Sequence, residues 1–216
     1  MLLTKYSHSC VRISDGDHQL VIDPGTFSEV PTALDGVDAV LITHEHPDHV
    51  DADRLADAAR ANPELRVWAP QAVTDQLARL PELADRLSSV GPGEEFDAGG
   101  LGVRTFGGQH ALIHSSLPVV ANVCYLVAGM VYHPGDSYVI PTVPPEVLLV
   151  PLNAPWAKIA ETLDFTMAVR APRAFGIHDA LLNDTGRRGY TSHVERVGAE
   201  YGVQYSHLMP GESVQL

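Results

Sequence analysis

Four side chains of the kind that bind metal ions, His44, His46, Asp48 and His49, fall within six residues of the stretch LITHEHPDHVDADRL, from Leu41 to Leu55. What surrounds them narrows the local fold. DAVLIT, from Asp38 to Thr43, is a continuous apolar run with β-branched residues, the pattern of a strand covered on both faces. From Asp51 the spacing becomes helical, with Leu55, Ala58 and Ala59 on one side, until Asn62-Pro63 stops it. The cluster therefore occupies a strand-to-helix turn. Alternate residues of a turn can point the same way, so His44 and His46 can grip one ion while Asp48 and His49 face a second. Imidazole and carboxylate suit zinc, and also iron or manganese. A lone histidine is usually a satisfied core or surface residue, whereas four such groups this close have no ready structural explanation.

The remaining sequence alternates strand-like and helix-like segments. LLTKY, CVRI and QLVIDPG read as an N-terminal β-meander, with Asp15-Gly16 at a turn. LRVWAP reads as a strand, QAVTDQLARL as a helix and VGPGEEFDAGG as a turn-rich connector. LGVRTFG, NVCYLVAG, MVYHPGD and EVLLVPL are further strands, Lys158 to Arg170 is a helix with Ile159, Leu163 and Met167 spaced by four, and RAFGIHD is a late strand. VERVGAEYG reads as a short helix ending at Gly202. This pattern implies layered α and β structure in one domain spanning residues 1–216, with no short-period repeat.

Composition excludes some partners. With 14 Lys and Arg against 27 Asp and Glu, the formal net charge of -13 argues against a nucleic acid, whose phosphates require clustered cations. No apolar run is long enough to span a bilayer and the N-terminus lacks a leader pattern, so the expectation is a cytoplasmic protein without a membrane partner. Cys10 and Cys124 sit in strand-like segments without metal or redox spacing and read as buried thiols.

Two ions need more ligands than one turn supplies, and His110, Asp136 and His178 each follow an apolar strand, where open α/β sheets present their ligands. In order along the chain stand Asp23 in VIDPG, HxHxDH, His110, Asp136 in HPGDS and His178 in GIHD. This ordered set resembles the metallo-β-lactamase-fold hydrolases over nearly the whole chain. TKYSHSCVRI, GGQHALIHSSLPVVANVCYLV and HPGDSY look most like its compact bacterial branch that includes L-ascorbate-6-phosphate lactonase. The resemblance implies an α/β fold, a four-layer αββα sandwich of two similar halves with the site at one sheet edge. It also implies two divalent metal ions, the first held by His44, His46 and His110, the second by Asp48, His49 and His178, with Asp136 bridging and Asp23 fixing a ligand histidine.

Such a pair lowers the pKa of a shared water, so a metal-bridging hydroxide is the expected nucleophile on a small-molecule ester, lactone or phosphodiester, with Asp48 orienting it. A non-catalytic metal-binding protein of the same fold is the alternative, and a nuclease a weaker one, since it would need a basic surface. A homo-oligomer is compatible with the sequence. His8 and His114 lie near these segments and are candidates to donate a proton to a leaving group. His133 reads as the anchor of the turn that aims Asp136. Trp156, Lys158, Arg187 and Arg188 are candidates to meet an anionic substrate at the mouth.

Overall fold

A computed structural model describes residues 1–216. The first half of the chain forms β1 (Leu2–Lys5), β2 (Val11–Asp15), β3 (His18–Ile22), α1 (Val30–Ala33), β4 (Ala39–Leu41), α2 (Ala52–Ala61), β5 (Arg66–Ala69), α3 (Gln71–Leu77) and β6 (Leu87–Ser89). The second half forms β7 (Glu95–Ala98), β8 (Leu101–Gly107), β9 (Val123–Val127), β10 (Val131–His133), β11 (Val147–Pro151), α4 (Ile159–Val169), β12 (Arg173–Ile177), α5 (Asp184–Glu200), β13 (Gln204–Ser206) and β14 (Ser213–Gln215).

These strands make two seven-stranded sheets, ordered β14-β1-β2-β3-β4-β5-β6 and β13-β12-β11-β10-β9-β8-β7. In each, antiparallel hairpins lead into parallel strands: β1 to β3 then β4 to β6, and β7 to β10 then β11 to β13. The two halves of the chain therefore repeat one plan.

Continuous apolar strands explain the layering, because a strand sends alternate side chains to opposite faces. Ala39 and Leu41 of β4 enter the core between the sheets together with Leu20, Ile22, Tyr125 and Leu149. Val40 and Ile42 point the other way, onto α1 to α3 through Val30, Leu55 and Val73. In β11, Val147 and Leu149 face the inter-sheet core, whereas Leu148 and Val150 pack with Phe165 of α4 and Val194 of α5. The result is a four-layer αββα sandwich. No helix is long and apolar enough to cross a membrane.

Two elements differ from expectation. VGPGEEFDAGG is more than a connector: β7 lies within it and pairs antiparallel with β8, Phe96 opposite Val103. As an edge strand with Ala98 its only buried residue, β7 carries no apolar run to betray it. The last helix begins at Asp184, well before VERVGAEYG, with the Asn183 side chain accepting the Gly186 N–H as its cap. Only Val194 and Gly198 of this helix are buried, so its first half shows no apolar stripe.

One close approach positions the site. Beside the HxHxDH turn, Thr26 N–H donates to Pro47 O at 2.8 Å and Asp51 N–H to Pro24 O at 3.0 Å. A Cβ on Gly25 would lie 1.8 Å from Asp48 O, so only glycine lets the two segments touch. Gly25→Ala should lower unfolding stability by about 1–3 kcal/mol, the usual cost of overpacking. Gly102→Ala, where a Cβ meets nothing within 4 Å, should change it by less than about 0.5 kcal/mol. Urea unfolding of both variants checks the contrast, and equal midpoints would contradict it.

Candidate metal centre

The site assembles where strands of both sheets end. β4 runs out through Ile42 and Thr43 into His44, and Thr43 O accepts the Val123 N–H at 2.9 Å, joining the two sheets at the site. Asp23 follows β3, Asp136 follows β10 through Pro134-Gly135, and His178 follows β12. His110 stands in the loop after β8, fixed by its N–H to Val120 O at 3.0 Å and by the neighbouring Ala111 N–H to Asp136 O at 2.8 Å. Gly135 has φ +58, and a Cβ there would meet Asn122 Oδ1 at 2.3 Å. That oxygen accepts the Asp136 N–H at 3.0 Å, while the Asn122 side-chain amide donates to Pro134 O at 2.9 Å.

All seven ligand candidates named from sequence come together in two adjoining clusters. His44, His46, His110 and Asp136 form one; Asp48, His49 and His178, joined by His8, form the other, with ligand atoms inside each no more than 4.8 Å apart. Asp136 lies against both: its Oδ2 is 3.3 Å from His110 Nε2 and 3.1 Å from His178 Nε2, and its Oδ1 is 3.0 Å from His49 Nε2.

Hydrogen bonds at the outer ring nitrogens fix the imidazole tautomers, because a carbonyl or carboxylate can only accept. His110 Nδ1–H donates to Ala111 O at 2.6 Å and His178 Nδ1–H to Asn153 O at 2.7 Å. His49 Nδ1–H donates to Asp23 Oδ2 at 2.7 Å. Thr43 Oγ1–H also donates to Asp23 Oδ2, at 2.7 Å, so its oxygen is left to accept His44 Nδ1–H at 3.0 Å. Each of these rings therefore directs Nε2 inward. His44 Nε2 and His46 Nδ1 meet at 3.1 Å, a spacing that a proton or a cation between them satisfies.

The inward atoms are the unsatisfied ones. His49 Nε2, His110 Nε2, His178 Nε2 and Asp136 Oδ1 are buried without a hydrogen-bond partner, a costly condition for polar atoms unless something else binds them. Their chemistry, imidazole nitrogens and a carboxylate oxygen converging on one place, fits divalent metal ions.

Charge is tuned accordingly. Burial pushes His44 well below the usual imidazole range, and the neighbouring His49 adds to the effect, keeping its ring neutral. His46 is lowered for the same main reason. Burial opposes ionisation of Asp136, yet His49 and His178 outweigh it and hold the carboxyl well below its usual range. For His49 burial is again outweighed, here by Asp136 and Asp23, which raise it well above the usual range; the two carboxylates thus draw positive charge to Nε2, a place that a bound metal ion would take over from a proton.

Several residues at the site carry no sequence signal for what they do. Trp156 is buried rather than at the mouth, and its Nε1–H donates to Asp136 Oδ2 at 2.9 Å. The three cations expected at the mouth have partners nearby: Lys158 faces Glu161 at 3.8 Å, Arg187 pairs with Asp184, and Arg188 reaches Thr185 Oγ1 at 3.3 Å. His133 accepts the Gly135 N–H on Nδ1 at 3.1 Å and donates through Nε2 to Ser9 O at 2.9 Å, so it does anchor the Asp136 turn. His114 is exposed and bonded to Ser116. Thr43 and Asn122 orient ligand candidates yet read in sequence as ordinary strand-end residues.

Residues 2–178 match the β-lactamase superfamily domain. A Mycobacterium tuberculosis protein is 38% identical over 88% of this chain and 89% of its own length. A metal-dependent hydrolase from Aeropyrum pernix is 27% identical over 99% and 96% respectively. Among solved structures, a metallo hydrolase from Ignicoccus hospitalis superposes with a TM-score of 0.75 at 21% identity, over 99% of this chain and 97% of that one. The diiron β-hydroxylase CmlA from Streptomyces venezuelae superposes with a TM-score of 0.76 at 15% identity, over 100% of this chain and 54% of that one. These structures share the fold.

Asp48 supplies a pH test of the site's geometry. Burial alone would raise its carboxyl, but the hydrogen bond from His8 and the nearby His49 bring it from 3.8 down to about 2. A depressed carboxyl contributes stability at pH values above its unfolded pKa, and that contribution is lost as pH falls through the folded value. In chelator, the urea midpoint of Asp48→Asn should therefore lie below wild type near pH 5, with the gap closing toward about pH 2. A gap that stays constant over that range would contradict the assignment.

Proposed function

The chain belongs to the β-lactamase superfamily, and on that premise we propose that it is a metal-dependent hydrolase with a dinuclear centre acting on a small-molecule ester, lactone or phosphodiester. His44, His46 and His110 would hold the first ion, Asp48, His49 and His178 the second, and Asp136 both. The observation that carries this reading is the set of buried, unpartnered inward atoms on His49, His110, His178 and Asp136. Zinc suits the donor set, as do manganese and iron. When bound, two such ions supply an activated water at neutral pH and polarise the oxygen under attack.

The chain's own residues complete the chemistry. Asp48 is 23% exposed, the most open carboxylate of the two clusters, and is placed to accept a hydrogen bond from the attacking water and take its proton. Asp23 holds His49 in its tautomer, and Trp156 and Asn122 hold Asp136, so neither side chain needs to reorganise during turnover.

Two features bear on the substrate. Of the cations expected at the mouth, Lys158 and Arg187 face Glu161 and Asp184, whereas Arg188 bonds only the neutral Thr185 hydroxyl and keeps its charge for an anionic group. Phe27, whose ring packs edge-on to His8 at 5.2 Å, and Leu181, three residues beyond His178, are exposed apolar groups suited to an apolar substituent. β14 pairs with β1, which supports reading residues 1–216 as one domain.

The test joins metal content to activity. Protein grown with zinc or manganese should contain about two ions per chain and hydrolyse members of a panel of lactones, esters, thioesters and phosphodiesters. His46→Ala should reduce turnover at least about a thousandfold, the scale of several kcal/mol of metal-supplied stabilisation. Two bound ions with silence across the panel would favour a non-catalytic metal-binding protein, and absence of bound metal would contradict the reading altogether.

A further inference from the structure

His8 lies in the tight loop between β1 and β2, where Tyr6 N–H bonds to Cys10 O at 2.9 Å and the adjacent Ser7 is fixed through its N–H and hydroxyl to Glu29 at 2.9 and 2.7 Å. Its backbone is left-handed, φ +62, and its side chain is buried. A non-glycine residue persists in that region only where its surroundings demand it. Those surroundings belong to one cluster. His8 Nε2 is 3.0 Å from Asp48 Oδ2. Its carbonyl accepts the His178 N–H at 3.1 Å, and its ring centroid is 3.9 Å from that of His178 and 5.6 Å from that of His49. His178 is itself left-handed, φ +56, so two unusual backbone conformations are hydrogen-bonded to each other at the site.

The protonation pattern separates His8 from the ligand candidates beside it. Its Nδ1 accepts the Ala180 N–H at 3.4 Å, which leaves the proton on Nε2, where it is donated to Asp48. Both ring nitrogens are thus engaged, whereas His49 and His178 each keep an unpartnered Nε2. No lone pair of His8 remains to bind an ion, and its burial keeps it from a leaving group.

We infer that His8 is a positioning residue for the second ion. Its Nε2–H holds one oxygen of Asp48, whose carboxylate is otherwise partly open to solvent and free to rotate, while its carbonyl and ring seat His178. The inference rests on the two-ion reading and adds a residue that sets the affinity and geometry of one ion without touching it.

The test is cobalt(II) titration of the metal-free full-length chain, followed by visible absorption and calorimetry. Wild type should take up two equivalents. His8→Ala should weaken one binding step about 10–100-fold, the usual effect of losing a partner that orients a ligand, shift the visible bands of that ion and leave the other step unchanged. His8→Gln, which returns an N–H donor near the Nε2 position, should recover most of the lost affinity. Should His8→Ala not fold by thermal unfolding of the metal-free protein, His8→Asn suits the left-handed backbone yet places its amide short of Asp48, and should show the same selective loss. Two unchanged steps in His8→Ala, or equal weakening of both steps that Gln does not restore, would overturn the inference while leaving the two-ion reading intact. A wild type that binds no cobalt would overturn both.

Discussion

A buried carboxylate facing four imidazoles is the interaction on which the rest of the structure depends. Asp136 is 2% exposed, and its oxygens lie 3.0 to 4.0 Å from the Nε2 atoms of His49, His178, His110 and His44. Removing a carboxylate from water is expensive unless charge and hydrogen bonds compensate. Compensation comes from remote parts of the chain: Trp156 on Oδ2, Asn122 on the backbone N–H, and His133 on the turn that carries the residue. Both sheets must be in place before these groups meet.

The fold gathers such groups because both sheets end in parallel strands at this edge, and each loop there is free to carry polar residues while the strands bury their apolar faces. The arrangement is tight enough to distort the backbone. His8, Asp23 and His178 are three of only five non-glycine residues with positive φ, and Gly25 and Gly135 occupy positions where a Cβ would strike Asp48 or Asn122. Strain concentrated in this way marks a site whose geometry the surrounding packing enforces.

The legible parts of the sequence were those with a local signature. HxHxDH behind an apolar run placed a metal-type cluster on a strand-to-helix turn, and strands buried on both faces, such as β4 and β11, announced themselves by composition. His110, Asp136 and His178 are legible because each follows an apolar strand, even though β8 before His110 is buried on one face alone. Less legible were contacts set only by tertiary proximity. Trp156 reads as a mouth residue but lies beneath Asp136; Asn122 and Thr43 read as strand ends but orient ligand candidates; His8 is brought to Asp48 across 40 positions of sequence. β7 and the first half of α5 carry no such signature, because an edge strand and a solvent-facing helix bury too little to impose a periodic pattern.

The claim that Asp136 sits between two ions is tested most directly by anomalous diffraction from crystals of the full chain, collected on either side of the bound metal's absorption edge. The account predicts two anomalous peaks about 3.5–4 Å apart, one among His44, His46 and His110 and the other among Asp48, His49 and His178, with Asp136 touching both. A single peak, or two peaks that leave Asp136 bound to neither or only one, would contradict it.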